Sequence, residues 1–394
     1  HFGKPDDLRM LVTQAHQAGI NILLDFVANH VHQDHPYYKA DSAIATALRL
    51  PDGTLNLERW DEHRLTTWFD VFLPTLDLER EDVARTVSDS TVWWVTEYHI
   101  DGFRHDAAKH IPLTFWRMLT KKLREQVVYP EQRPVFQMGE TYGGVELIGS
   151  YLGSGLLDAQ FDFNVYDAAL GVFAGGQSFD QLGQRLKQSL AYYGSHNLMG
   201  YITGNQDRGR FISYAGGDLK FEENAKAAGW SREIGVGDPV GYDKLNMLMA
   251  FNMTIPGVPV IYYGDEFGMA GGNDPDCRRM MRFGPELNPK EEKNLEITRR
   301  LTLLRKQNMA LMYGDISYWN LNGNTLVYAR NYFRNKVIVV FNNTGEPADI
   351  DVNVKSFAPD KSFRTNFGGT LRGSGDQLTV SLKPYSFEVL TQSN

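Results

Sequence analysis

Six times along this chain a short apolar run follows a helical or mixed stretch and ends at or near polar groups, and that recurrence restricts the fold more than any other feature. Residues 5–18 predict an amphipathic helix: Pro5 suits the first helical position, Asp6 and Asp7 favour the positive end of the helix dipole, and Gly19 stands where a helix stops. Leu8, Leu11, Val12 and Ala15 fall on one face of it. Residues 21–28 are then nearly all apolar, the pattern of a strand buried on both faces of a parallel sheet. Helical stretches at 82–98 and 113–126 lead to runs at 100–107 and 135–141, and further runs cover 156–163, 198–203 and 258–263. Such alternation predicts an α/β fold, either doubly wound or a closed barrel. Charged and polar residues gather at the C-terminal ends of five runs: Asp25, Asn29 and His30; Arg104 and Asp106; Glu140; Asp207; Asp265 and Glu266. An open sheet concentrates functional groups at one switch point, whereas a TIM (β/α)8 barrel spreads them over many strand ends. The barrel is the expected architecture.

Two stretches interrupt the pattern. Residues 31–73 are polar and aromatic, too long for an ordinary loop, and predict a small inserted domain B. From residue 311 the chain turns to short strands, at 325–330, 336–341, 349–354, 378–382 and 386–391, with a hairpin signal at Asn322-Gly323. A C-terminal antiparallel β-sandwich over 311–394 is expected, leaving 1–30 and 74–310 to the barrel. A hydrophobic fraction of 42%, with 22 Phe, 19 Tyr and 7 Trp, supports a sizeable core. With 40 Lys+Arg against 48 Asp+Glu and no basic stripe, neither nucleic acid nor an anionic membrane surface is the expected partner. The single cysteine, Cys277, excludes an internal disulfide and a Cys-rich zinc module. No apolar run approaches the ~20 residues of a membrane span. No signal peptide opens the chain, so a leader for a periplasmic or extracellular destination would lie upstream of His1. An opening His rather than Met, followed almost at once by a helix, reads like the interior of a longer protein.

Asp106, Glu140 and Asp207 each close a different run. Cleaving a glycosidic bond needs two carboxyls, a nucleophile or base and a proton donor, about 5–5.5 Å apart in retaining enzymes and about 6.5–9.5 Å apart in inverting ones. A third carboxylate can hold a distorted sugar ring. Arg104, two residues before Asp106, projects from the same face of its strand, where it can keep that carboxyl ionised.

In this order the motifs resemble the α-amylase family of glycoside hydrolases, family 13. Asp25-Phe-Val-Ala-Asn29-His30 is similar to the family's signature at barrel strand three. Gly102-Phe-Arg104-His-Asp106-Ala-Ala-Lys109-His110 resembles the nucleophile signature, Gly139-Glu140-Thr141 the acid/base signature, and Gly204-Asn-Gln206-Asp207 the one carrying the transition-state stabiliser. Val258–Glu266 resembles the strand-eight signature, and Asn273–Arg278 a loop whose Asp274 and Arg278 would bind glucose units. The resemblance spans essentially the whole chain. It implies a retaining double displacement on α-1,4-glucosidic bonds of starch-derived glucans: Asp106 as nucleophile, Glu140 as acid/base, Asp207 as stabiliser. His30 would contact the sugar at the cleavage point, Arg104 would orient Asp106, Lys109 and His110 would line the acceptor side, and Trp68 and Phe69 would offer rings for sugar faces. The expected partner is an α-glucan, with a homo-oligomer also open. By this resemblance the runs are barrel strands three to eight, and strands one and two are expected to lie outside the chain.

Two departures stand out. Gln206 occupies a position where the family usually has His; it can donate to a sugar hydroxyl but carries no charge. In Leu73-Pro-Thr75-Leu-Asp77, Thr75 replaces the Asp that calcium-dependent members use as a ligand, leaving Asn29 and the His110 carbonyl. No cofactor is therefore expected to be required, with calcium left open at an incomplete site, and the branch resembled is that of cyclomaltodextrinases and neopullulanases or of Bacteroidetes-type α-amylases. A rival reading takes His30-Val-His32, Asp34 and His35 as metal ligands of an amidohydrolase-type barrel. Another, a catalytically silent binding barrel, predicts loss of one of the three acids; all three are kept.

Overall fold

A computed structural model describes residues 3–194, 198–358 and 362–393; the opening His1 lies outside them. The chain forms two compact units, His1–Phe161 and Asp162–Asn394. That boundary falls inside 74–310, and the sheets that follow Asp315 belong to the same unit as the helices before them.

In the first unit α1 (Pro5–Gln17), α2 (Glu81–Tyr98) and α3 (Leu113–Leu123) alternate with β1 (Leu23–Phe26), β2 (Gly102–His105), β3 (Phe136–Gly139) and β4 (Ala159–Gln160). The strands form one parallel sheet in the order β1-β2-β3-β4. Helix α2 follows from Val83, Val87 and Val95 with Ala84 and Val92, whose three- and four-residue spacing gives one apolar face. That face shares a core with Phe103 of β2 and Phe115, Trp116 and Leu119 of α3, all fully buried. Gly102 is required where β2 meets β3, because a Cβ there would stand 1.9 Å from the Phe136 carbonyl oxygen.

Burial of β1 departs from expectation. Leu24 and Phe26 reach the core, but Leu23 is 39% and Val27 44% exposed. The reason is pairing: among the described residues β1 is bonded to β2 alone, so it is an edge strand with one covered face. Likewise only Val12 of α1 is fully buried, and Leu11 is exposed. The inserted stretch 31–73 is mostly irregular, with short helical turns at Pro36–Ala40 and Ser42–Ile44 and isolated bridges such as Leu57 to Trp68. Ile44 and Leu76 join the main core of the unit.

The second unit carries α4 (Phe163–Phe173), α5 (Phe179–Tyr193), β5 (Gly200–Ile202), α6 (Val240–Thr254), β6 (Val258–Val260) and α7 (Pro289–Gln307), with β5 and β6 paired in parallel. Among the described residues eight antiparallel strands follow: β7 (Asp315–Asn322), β8 (Thr325–Tyr332), β9 (Asn335–Asn342), β10 (Ala348–Asn353), β11 (Phe363–Arg364), β12 (Thr370–Ser374), β13 (Gln377–Leu382) and β14 (Ser386–Gln392). They make a five-stranded sheet, β11-β14-β9-β8-β7, and a three-stranded one, β10-β13-β12. Val327, Ile338, Val340 and Leu390 of the first meet Ile350, Val352 and Val380 of the second. The β7–β8 loop is Gly323-Asn324, one residue later than the Asn-Gly signal suggested, since Asn322 pairs with Thr325. Strand β9 is buried on both faces because its other side meets helices: the Phe341 ring lies 5.8 Å from Phe173 and 6.2 Å from Phe179.

Candidate active site

Strand β2 alternates its side chains, so Arg104 and Asp106 face one way and His105 the other. Arg104 is the hub. Its Nη1 donates to Asp106 Oδ1 and to Asp25 Oδ1, both at 2.8 Å, and its Nη2 to Glu140 Oε2. Only 14% of its side chain is exposed. Burial opposes the charge, but Glu140, Asp106 and Asp25 outweigh it and push the guanidinium above its ordinary value. Asp25 is the register partner of Arg104 across β1 and β2, a pairing of opposite charges at aligned strand ends that the sequence reading did not make. The backbone braces the two acids as well: Glu140 N–H donates to the His105 carbonyl and Ala108 N–H to that of Glu140, both at 2.9 Å.

His105 is wholly buried, its Nε2 donating to Gln137 Oε1 at 3.2 Å, and burial holds it down to about 3. It is a neutral packing group against Trp116 and Phe103. His30 lies 4.7 Å from the Phe69 ring; burial lowers its pKa, and the Asp106 charge restores only part of it. Lys109 Nζ stands 3.6 Å from Asp61. His110 is turned inward, packed on Trp60 and Phe69 with Nδ1 donating to the Arg64 carbonyl at 2.7 Å, and burial lowers it to about 4. Trp68 is not a platform: it is 5% exposed and its Nε1 is bound to Thr46, so of the two rings only Phe69 stands at the His30–His110 cluster.

In the second unit Asp207 sits in a clamp. Gln206 Nε2 donates to its Oδ2 at 2.9 Å, Arg278 Nη2 to its Oδ1 at 3.0 Å, and its own N–H donates to Asn205 Oδ1 at 3.0 Å. Arg278 Nε also donates to the Gln206 carbonyl at 3.0 Å and pairs with Asp274 Oδ1 at 2.9 Å, while Cys277 Sγ donates to the same carbonyl. Beneath this loop Arg210, also missed in the sequence, is almost wholly buried. It donates to Asp265 Oδ1 at 2.8 Å, to the Tyr263 carbonyl at 2.6 Å and to the Cys277 carbonyl at 2.9 Å. Asp265, read as a strand-end acid, is thus a buried ion-pair partner, with Thr203 Oγ1 on its other oxygen.

No group of three or more His, Cys, Asp or Glu suited to a metal occurs among the described residues. His32 and His35 accept the N–H groups of Asp34 and Tyr37 in local turns. The calcium position of the resemblance does not fit either. Thr75 Oγ1 donates to the Thr67 carbonyl, so the residue standing in the ligand's place brings no charged oxygen. That leaves Asn29 Oδ1, buried and unpartnered, and the His110 carbonyl, whereas calcium takes about 6–8 oxygens with carboxylates among them.

The first unit thus sets parallel strands with acids at their ends, two of those acids on one guanidinium, and the second unit ends in antiparallel sheets. A family model described as "Alpha amylase, catalytic domain" matches residues 1–48 and 55–367. The chain belongs to the α-amylase family, whose fold is a TIM barrel with a C-terminal β-sheet domain. A cyclomaltodextrinase of Geobacillus thermopakistaniensis is 30% identical over 98% of this chain and 62% of its own length. A cyclomaltodextrin glucanotransferase of Geobacillus stearothermophilus is 28% identical over 96% and 51%. An α-amylase from Geobacillus thermoleovorans, solved with acarbose, superposes with a TM-score of 0.83 at 25% identity, covering 100% of this chain and 82% of that one. The chain spans between half and two thirds of the length of these two curated relatives.

Proposed function

We propose that this chain carries the catalytic residues of a retaining hydrolase of α-1,4-linked glucans. One observation carries the reading: Arg104 holds Asp106 and Glu140 on a single guanidinium. Carboxyls sharing one fork match the closer, ~5–5.5 Å spacing of a retaining pair better than the wider spacing of an inverting one. Asp106 attacks the anomeric carbon while Glu140 protonates the leaving oxygen; Glu140 then activates water to release the sugar from Asp106. Asp207 grips sugar hydroxyls as the ring flattens, with Gln206 and Arg278 orienting it. His30 contacts the reacting sugar, Lys109 and His110 shape the acceptor side, and Asp274 takes a neighbouring glucose. No metal takes part in this scheme.

In this reading the six parallel strands are strands three to eight of the family barrel, and 31–73 is the domain inserted after strand three. Maltodextrins and cyclodextrins are the substrates favoured, because the curated relatives carry the names cyclomaltodextrinase and cyclomaltodextrin glucanotransferase. The test is reducing-sugar release from maltodextrin, cyclodextrin, starch and pullulan by the protein and its Asp106→Asn and Glu140→Gln variants. Each substitution is expected to remove several orders of magnitude of rate. Near-normal hydrolysis by either variant refutes the assignment.

A further inference from the structure

The turn that follows Asp106 is conformationally costly. Ala107 adopts the left-handed region, φ 49° and ψ 35°, which a side chain with a Cβ disfavours. Such a residue persists only where its surroundings over-determine it. On one side the Ala108 N–H is tied to the Glu140 carbonyl. On the other, the bracing comes from a residue some 45 positions earlier in the chain, Arg64.

The contact is reciprocal. The Arg64 guanidinium donates to the Lys109 carbonyl and to Tyr151 Oη, and its own carbonyl accepts from His110 Nδ1 at 2.7 Å. Tyr151 Oη donates in turn to the Lys109 carbonyl at 2.9 Å and the Ile111 carbonyl at 3.2 Å. A side chain of the inserted segment thus holds the backbone of the turn, and a side chain of the turn holds the backbone of the insert. Among the described residues no carboxylate shares these bonds; the guanidinium donates to one main-chain oxygen, that of Lys109, and to the Tyr151 hydroxyl. Those are hard oxygen donors of the kind a divalent cation takes, and a guanidinium among them both satisfies them and repels such an ion.

We propose that Arg64 is a positioning residue, an internal cation that locks the inserted segment to the Ala107–His110 turn and makes that junction independent of bound metal. Its effect on turnover rests on the reading of Asp106 as nucleophile; its effect on stability does not.

The test uses the protein with Arg64→Gln, Arg64→Lys and Tyr151→Phe, melted in EDTA and in millimolar calcium chloride, and assayed on maltodextrin at 25 °C. Wild-type melting is expected to be the same in both buffers. Arg64→Gln is expected to lower kcat/KM about 10–100-fold, the scale of a displacement near 1 Å in an active site. Arg64→Lys should regain most of that loss, and Tyr151→Phe should give a smaller one. A wild-type melting temperature that falls in EDTA and returns with calcium overturns the proposal. So does an Arg64→Gln protein that melts earlier yet keeps wild-type kcat/KM at 25 °C, since Arg64 would then be structural only. Activity retained by Asp106→Asn would instead refute the nucleophile assignment and leave the melting comparison to judge the lock.

Discussion

Asp265→Ala isolates the energetics beneath the Asp207 clamp. The side chains of Arg210 and Asp265 are 1% and 3% exposed, so neither charge is answered by solvent. Removing one partner of a buried pair costs about 3–5 kcal/mol, because the other charge stays behind. Two carbonyls, of Tyr263 and Cys277, and the Tyr262 ring 4.0 Å from the guanidinium still solvate Arg210, which places the loss near the lower end, about 3 kcal/mol. For a unit of this size about 2–4 °C of melting temperature accompanies each kcal/mol, so a drop of about 6–12 °C is expected. Differential scanning calorimetry of the protein measures it. The double variant Arg210→Met, Asp265→Leu removes both charges and should recover at least half of the loss. A single variant melting within about 2 °C of wild type, or a double variant no better than the single, refutes the claim that an unanswered buried charge is the cause.

Arg104→Lys keeps a positive charge but not the fork, so one ammonium must serve carboxylates that two nitrogens now hold. A fall of kcat/KM by about 10²-fold is expected, the worth of one or two charge-assisted hydrogen bonds, and steady-state kinetics on maltodextrin will show it. His110 is held down to about 4 in the folded chain. The unfolded chain takes up that proton near pH 6.5, so the folded state loses stability as pH falls from about 6.5 towards 4, by about 3 kcal/mol in full. Melting temperatures between pH 7.5 and pH 4 should decline less steeply for His110→Gln than for wild type; parallel slopes would refute the assignment.

Legibility followed locality. The helix and strand order could be read because each element carries its own period, and Asp106, Glu140 and Asp207 stood out because strand ends are marked by the change from apolar to charged. Burial of β1 could not be read, since the run at 21–28 looks the same whether neighbours lie on both sides or on one. Trp68 and Phe69 are adjacent in sequence, yet one is sealed by Thr46 and the other stands against His30. Arg64 and Arg210 lie outside any periodic segment, and their partners are main-chain carbonyls or distant acids, which leave no mark in the sequence nearby.

The double-sided burial of β9 bears on modularity. Beyond the Phe341 contacts, Asn343 Nδ2 donates to the Val172 carbonyl at 2.9 Å, and buried Arg330 of β8 donates to the Thr254 carbonyl at the end of α6. The terminal sheets therefore do not behave as a detachable bead on a linker. Cutting the chain at residue 310 would strip the lid from Phe173 and Phe179 and take the Arg330 donor from the Thr254 carbonyl. The sheets should unfold in the same cooperative transition as α4 to α6, and a recombination joint placed at 310/311 would inherit a wound on both sides of the cut.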